Sequence, residues 1–279
     1  MLLSILASKA AVNWRSPRLV FGLTVLTLFL CAATLAPWLA PTLPSDMDIT
    51  LRLTPPNAHD WFGRDINGAS VLTAMLYGSR TSLYISALTV ALSVGIGTWL
   101  GLLAGFKRGW VDGLIMRTVD LLMAFPGILL AMALAALMGP SRNNVVFAIA
   151  ATGWTSTARL IRGQTLTLKE REFVTASTAL GATNQRLIWQ HIFPGTLATL
   201  LVHATFSLAG VIIVEASLSF LGLGAQDGAP TWGAILGQGR GVLVEAPYLS
   251  LIPGLAIALL VLALNFLGDA LRDHLSPRG

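Results

Sequence analysis

The chain has 279 residues, 54% of them hydrophobic and 11% charged, with a mean hydropathy of +0.73. So few charges would leave the surface of a water-soluble globule of this size uncovered, whereas lipid asks for no such cover. A net charge of +5 and a pI near 10 raise nucleic acid as a partner, but the basic residues sit in short segments between apolar runs and form no patch. The single cysteine, Cys31, lies inside an apolar run, which excludes a disulfide framework within the chain and any Cys/His metal spacing.

Six apolar stretches approach the roughly 20 residues needed to cross hydrocarbon. The first, Leu19–Leu39, follows the basic residues Lys9, Arg15 and Arg18. It resembles a signal peptide, but its apolar run exceeds the roughly 7–15 residues of a cleaved signal, so a retained anchor is expected. An outer segment, 40–82, follows, rich in Pro, Asp and Asn. The second span is expected at Leu83–Ala104, the third at Ile115–Met138 with Pro126 kinking it, and the fourth at Val145–Ala158, credible only as a helix packed by the others. A polar, helix-prone island then runs from Glu172 to Pro194. The fifth span is expected at Thr196–Leu218 and the sixth at Leu249–Leu267, separated by an outer segment, Leu223–Tyr248. Trp61 and Trp232 are expected near the headgroups.

Orientation follows from Lys and Arg. With the N-terminus inside, the inner segments hold thirteen of the 18 Lys and Arg residues. Both termini (1–18 and 273–279) and the loop 164–194 are then cytoplasmic, and residues 83–272 make a five-helix core. Within the second span, Gly97, Gly101 and Gly105 make a flat ridge that admits another backbone. A helix of this chain and a helix of a second subunit suit it equally.

The island Glu172–Gly181, continuing to Ile192-Phe193-Pro194, resembles the cytoplasmic coupling loop of ATP-binding-cassette importer permeases. The Gly181-to-Pro194 spacing fits that pattern, while Thr175 stands where the family usually has Glu and Ser177 replaces an Ala. The likeness extends over His59–Pro277 and is to the second permease subunit of the dipeptide, oligopeptide and nickel importer group. It is carried by His59-Asp60-Trp61-Phe62-Gly63-Arg64-Asp65, Tyr77-Gly78-Ser79-Arg80-Thr81-Ser82-Leu83, Gly109-Trp110-Val111-Asp112, Ala124-Phe125-Pro126 and Glu215–Gly224. Pro230-Thr231-Trp232-Gly233 and the tail Leu267-Gly268-Asp269 complete it. Two departures stand out: Gly68-Ala69-Ser70 where the group reads Gly-Arg-Asp, and Ser276 for Asp before Pro277.

The resemblance implies an all-α integral membrane protein of the type I importer permease fold, in the bacterial cytoplasmic membrane. It implies a heterodimer with a homologous permease, two ATPase subunits inside and an extracytoplasmic solute-binding protein. Arg171, Glu172, Thr175, Ala176, Ala179, Leu180, Gly181, Arg186 and Pro194 are the expected ATPase-coupling residues. Small side chains keep that helix slim, Gly181 allows a turn, Pro194 opens the fifth span, and Arg171, Glu172 and Arg186 offer charges at the rim.

No catalytic constellation is present. The sequence lacks the Gly-x-x-x-x-Gly-Lys-Ser/Thr phosphate loop, so no cofactor is expected on this chain, and ATP with Mg belongs on partner subunits. His203, Glu215 and Ser219 are candidates for the translocation pathway because polar groups inside membranes are costly. The alternatives for His203 and Glu215 are hydrogen-bonded structural roles, and for Asp120 an ion pair with Arg117. Peptides are the expected cargo, with nickel or a metal chelate as an alternative. An ion-coupled secondary carrier is the rival of another class, disfavoured by the scarcity of deep acids.

Overall fold

The computed structural model describes residues 16–225 and 228–275. Lys9 and Arg15 at the start, and Ser276, Pro277 and Arg278 at the end, lie outside the described residues. The described chain is built of helices and loops, with a single bridge pairing Arg64 and Ser70.

Helix α1 (Pro17–Leu39) begins where Ser16 Oγ accepts from Leu19 N–H and proline occupies the first turn. Helix α2 (Val71–Lys107) is much longer than the second span read from the sequence: capped by Ser70, it starts twelve residues before Leu83. Apolar content alone did not reveal that start, because Tyr77-Gly78-Ser79-Arg80-Thr81-Ser82 is polar yet helical. The third span is two helices, α3 (Gly109–Met123) and α4 (Gly127–Met138), bent by 87°. The expected kink is therefore a break. Pro126 lacks the N–H that would continue the ladder, and its ring collides with the carbonyl one turn back.

Helix α5 (Arg142–Lys169) extends eleven residues beyond Ala158. Helices α1, α2, α7 (Asn184–Phe220) and α9 (Tyr248–Leu275) are each long and apolar enough to cross a membrane, and the bent pair reaches the same length and apolarity when its two halves are taken together. Among the described residues α5 does not reach that apolarity, because its second half carries Arg159, Arg162 and Lys169. It is covered by α2 along its length and by α4 and α7 on other sides, so its buried face meets protein and not lipid. The short helices α6 (Glu172–Ala179) and α8 (Trp232–Gly239) lie between α5, α7 and α9 in chain order.

The glycine ridge of α2 packs within the chain. A Cβ on Gly97 would lie 2.5 Å from the Trp154 carbonyl, on Gly101 2.6 Å from that of Ala158, and on Gly105 2.9 Å from that of Arg162. These glycines let the α2 and α5 backbones meet, whereas Gly95 on another face has open space beside it.

The outer segment before α2 is a folded knot. Asp65 Oδ1 accepts from the amides of Asn67 and Ala69, both at 2.8 Å. Arg64 bonds Asp60 and the Gly68 carbonyl, and Tyr248 Oη reaches the Arg64 carbonyl at 2.8 Å. Trp61 is exposed. Trp232 is not: it is 1% exposed, its indole N–H donates to the Met75 carbonyl, and its ring meets Phe29 edge-on. The polar tip that suits a headgroup is satisfied here by a backbone carbonyl instead.

Candidate coupling site

Helix α6 lies against the ends of α2, α5 and α7 and buries one side chain there. Val174 is 2% exposed and packs in a cluster with Leu102 and Phe106 of α2, Ile161 of α5, and Leu187 and Ile192 of α7. The rest of the surface of α6 is open: Arg171, Glu172, Thr175, Ala176 and Ala179 are exposed, and Leu180 just past its end is 89% exposed. Ala and Thr on that open face keep it narrow. Thr175, in the place of the usual Glu, turns its hydroxyl back to the Arg171 carbonyl at 3.3 Å. Among the described residues, neither Arg171 nor Glu172 forms an ion pair within the chain.

Gly181 ends the helix at φ +83°, where an L side chain is strained. The amide of Ala182 bonds the Ser177 carbonyl and that of Gly181 the Thr178 carbonyl, so the last carbonyls are satisfied by a glycine C-cap. Thr183 then caps the next helix, accepting from Arg186 N–H. Arg186 turns along that helix to Gln190 at 2.9 Å and remains exposed.

Pro194 stands in the first turn of the regular α-helical part of the fifth span, Phe193–Phe220, as read from the sequence. Helix α7 starts at Asn184, and residues Leu187–Ile192 form a π-turn immediately before Phe193-Pro194. The wider turn gives the proline ring room and absorbs the missing donor. Between α6 and the C-terminal ends of α2 and α5 lies a groove of about 640 Å³, lined by Lys107, Lys169, Thr175, Thr178, Asn184 and apolar neighbours. Lys169 Nζ donates to the Phe106 carbonyl at 2.7 Å and lies over the Phe106 ring, and Arg108 pairs with Glu170 at 2.9 Å. Helix α6 therefore sits on a platform tied to α2, α5 and α7 together.

Comparison with known proteins shows the family. Residues 97–278 match the family model described as "Binding-protein-dependent transport system inner membrane component". Residues 14–56 match "N-terminal TM domain of oligopeptide transport permease C". The chain belongs to this permease family. It is 41% identical to the dipeptide transport system permease protein DppC of Alkalihalophilus pseudofirmus over 93% of this chain and 85% of that protein. It is 46% identical to the glutathione transport system permease protein GsiD of Pectobacterium atrosepticum, over 80% and 74%. With GsiD of Escherichia coli O6:K15:H31 it is 43% identical, over 90% and 83%. The protein is thus a multi-pass membrane permease subunit of an ATP-driven importer.

In this permease His203 stands apart from Glu215 and Ser219, which bond each other. His203 bonds Thr157 Oγ1 at 3.0 Å, linking α7 to α5, with Ser207 at 3.4 Å. Glu215 has no exposed surface: its Oε1 accepts from Ser219 Oγ at 2.8 Å. The hydroxyls of Ser82 and Thr231 approach the same carboxyl without completing a bond to Oε2. Gly233 of α8 packs so tightly on Ala216 and Ser219 that a Cβ would overlap both. Glu215 and Ser219 are thus enclosed where α2, α7 and α8 meet, and neither faces an open path in this conformation. Asp120 pairs with Arg159 of α5 at 2.7 Å, not with Arg117, and Asp112 takes Arg162 in a two-pronged bond. Those partners lie 39 and 50 residues away in sequence, so spacing along one helix had pointed to the wrong arginine.

Sequence reasoning also missed Val174 and Leu187, which anchor α6. The usable signal was one β-branched apolar residue on a helix of small and polar ones.

Proposed function

We propose that this subunit forms half of the translocation pathway of a peptide importer, paired with a homologous permease. Two ATPase subunits dock on α6 from the cytoplasm and carry the ATP and Mg, and a binding protein delivers solute outside. Six crossings, with α5 as an inner one, put both termini and α6 on the cytoplasmic side of the bacterial inner membrane. The chain divides as residues 1–18 inside, a first crossing at 19–39, the outer segment and then a core carrying the loop 164–194.

The observation that carries this reading is the build of α6. A narrow, exposed helix ending in a left-handed glycine has no role in the chain's own core. Its single buried residue fixes it to three long helices at once, so a push on α6 moves the inner ends of α2, α5 and α7 as a unit. Arg171, Glu172, Thr175, Ala176, Ala179, Leu180, Gly181 and Arg186 present the docking face, and Pro194 follows the π-turn that joins it to α7. Peptide is the favoured cargo because relatives named for dipeptide and for glutathione transport share amide-linked solutes.

The test is ATP-dependent uptake of an isotopically labelled pool of di- to pentapeptides into vesicles holding the assembled importer. Gly181→Arg adds a bulky cation at an open position with positive φ. It is expected to reduce uptake at least tenfold while membrane insertion is unchanged. Normal uptake in that variant contradicts docking at α6.

A further inference from the structure

Helix α5 changes its exposed side half-way along. At about 100° per residue, Asn143, Phe147 and Ala151 share one face in its first half, and Ser156, Arg159, Gly163 and Thr167 share the opposite face in its second half. Both sets are exposed. Phe147 and Ala151 suit contact with lipid. The second face runs for about 16 Å without an apolar side chain. A Cβ on Gly163 would meet nothing within 4 Å, and Ser156 also lines a groove of about 540 Å³ beside the α3–α4 break.

Arg159 brings a charge to hydrocarbon depth. Helix α5 has 28 residues, which is about 42 Å of helix against roughly 30 Å of hydrocarbon. Arg159 lies about 25 Å from one end and about 15 Å from the other. Wherever the hydrocarbon layer falls along a crossing α5, Arg159 is inside it. Asp120 of α3 accepts its bond at 2.7 Å, yet the two side chains are 49% (Arg159) and 65% (Asp120) exposed. Among the described residues neither side chain has a second partner, so Asp120 Oδ2 and the remaining guanidinium donors are open. Lipid covers such a pair only at high cost. Packing protein over it would strip both ions of water, a loss that their attraction need not return. Water asks for neither.

We propose that this face of α5, with Asp120, walls a water-filled exit for peptide, and that the open sides of the pair meet the peptide's charged ends. Arg159 takes the terminal carboxylate and Asp120 the terminal ammonium. Because each already holds the other, both contacts are weak enough to let the solute leave. The inference rests on the permease reading, in which α5 crosses the membrane, and specifies where in this subunit the solute passes.

The experiment uses the complete importer with Cys31→Ser as background. Single cysteines replace Gly163 and Thr167 on the polar face and Ala151 on the opposite one, all exposed in the subunit. Inside-out vesicles enclose binding protein and peptide, and ATP is added so that the importer cycles. A charged, membrane-impermeant methanethiosulfonate is expected to modify Gly163→Cys and Thr167→Cys at least tenfold faster than Ala151→Cys. Equal rates, whether lipid or a helix of the partner permease covers the polar face, overturn the proposal. In parallel, Asp120→Asn combined with Arg159→Gln removes both charges and leaves neither unbalanced. Uptake of the labelled di- to pentapeptide pool per ATP hydrolysed is expected to fall at least fivefold with the subunit level unchanged; unchanged uptake per ATP overturns the contact with the peptide's ends. The cysteine comparison needs no charge variant and decides the exit even where that variant fails to accumulate. Absence of ATP-dependent uptake in the background protein instead overturns the importer reading on which the proposal stands.

Discussion

Val174 and Glu215 are both buried, but for opposite reasons. Val174 is the apolar pin of an otherwise exposed helix. Val174→Ala should weaken that attachment by about 2 kcal/mol, raising hydrogen exchange in residues 172–180 and lowering uptake while leaving the long helices protected. Glu215 is a polar group held by Ser219 with Ser82 and Thr231 beside it. Glu215→Gln keeps an acceptor for Ser219 and adds donors for its neighbours, so detergent-solubilised protein should melt near the parent temperature. Glu215→Ala leaves a cavity and stranded hydroxyls and should cost about 2–4 kcal/mol, seen as a clear drop in melting temperature. Single residues were unevenly legible in the sequence. Gly181 was readable because a left-handed turn after a short helix needs glycine. Trp232 was misread because an aromatic in an outer segment looks interfacial until a partner such as the Met75 carbonyl is known.

At the scale of elements, the close approach of α2 and α5 depends on three glycines one turn apart. Gly101→Leu drives a side chain into the Ala158 carbonyl and Ile161, so little subunit should accumulate in the membrane; Gly95→Leu enters open space and should accumulate normally. Immunoblotting of membrane fractions separates the two. The small-residue spacing was visible in the sequence, but which helix it faced was not, since a ridge fits any flat partner. Apolar runs located α1, α7 and α9 well because lipid contact demands them. They understated α2 and α5, whose polar ends are helical and covered by protein or water. The π-turn before Pro194 left no hydropathy signal, because it changes hydrogen bonding and not composition.

For the whole molecule, the structure joins the two ends of the helix bundle by different means. Charged pairs, Asp112–Arg162 and Asp120–Arg159, bind α3 to α5 on the half that leads to α6, whereas backbone-directed bonds from Tyr248 and Trp232 tie the outer knot and α8 to the long helices. Asp112→Asn leaves a partly buried guanidinium without its counter-charge and should destabilise the subunit by about 3 kcal/mol, read as lower accumulation that Arg162→Met in the same chain partly restores. Family and architecture were legible because ordered motifs run along most of the chain. The polar groove beside the break at Pro126 was less so, because its parts are Ser, Thr and Gly residues that only the fold brings together. The central claim, that an inward-projecting helix receives force from an ATPase, is tested most directly by labelling Leu180→Cys in a Cys31→Ser background with a membrane-impermeant maleimide. Labelling should occur only in inside-out vesicles and should be suppressed when the ATPase subunits are assembled; labelling from the outer face of intact cells, or equal labelling with and without the ATPases, would contradict it.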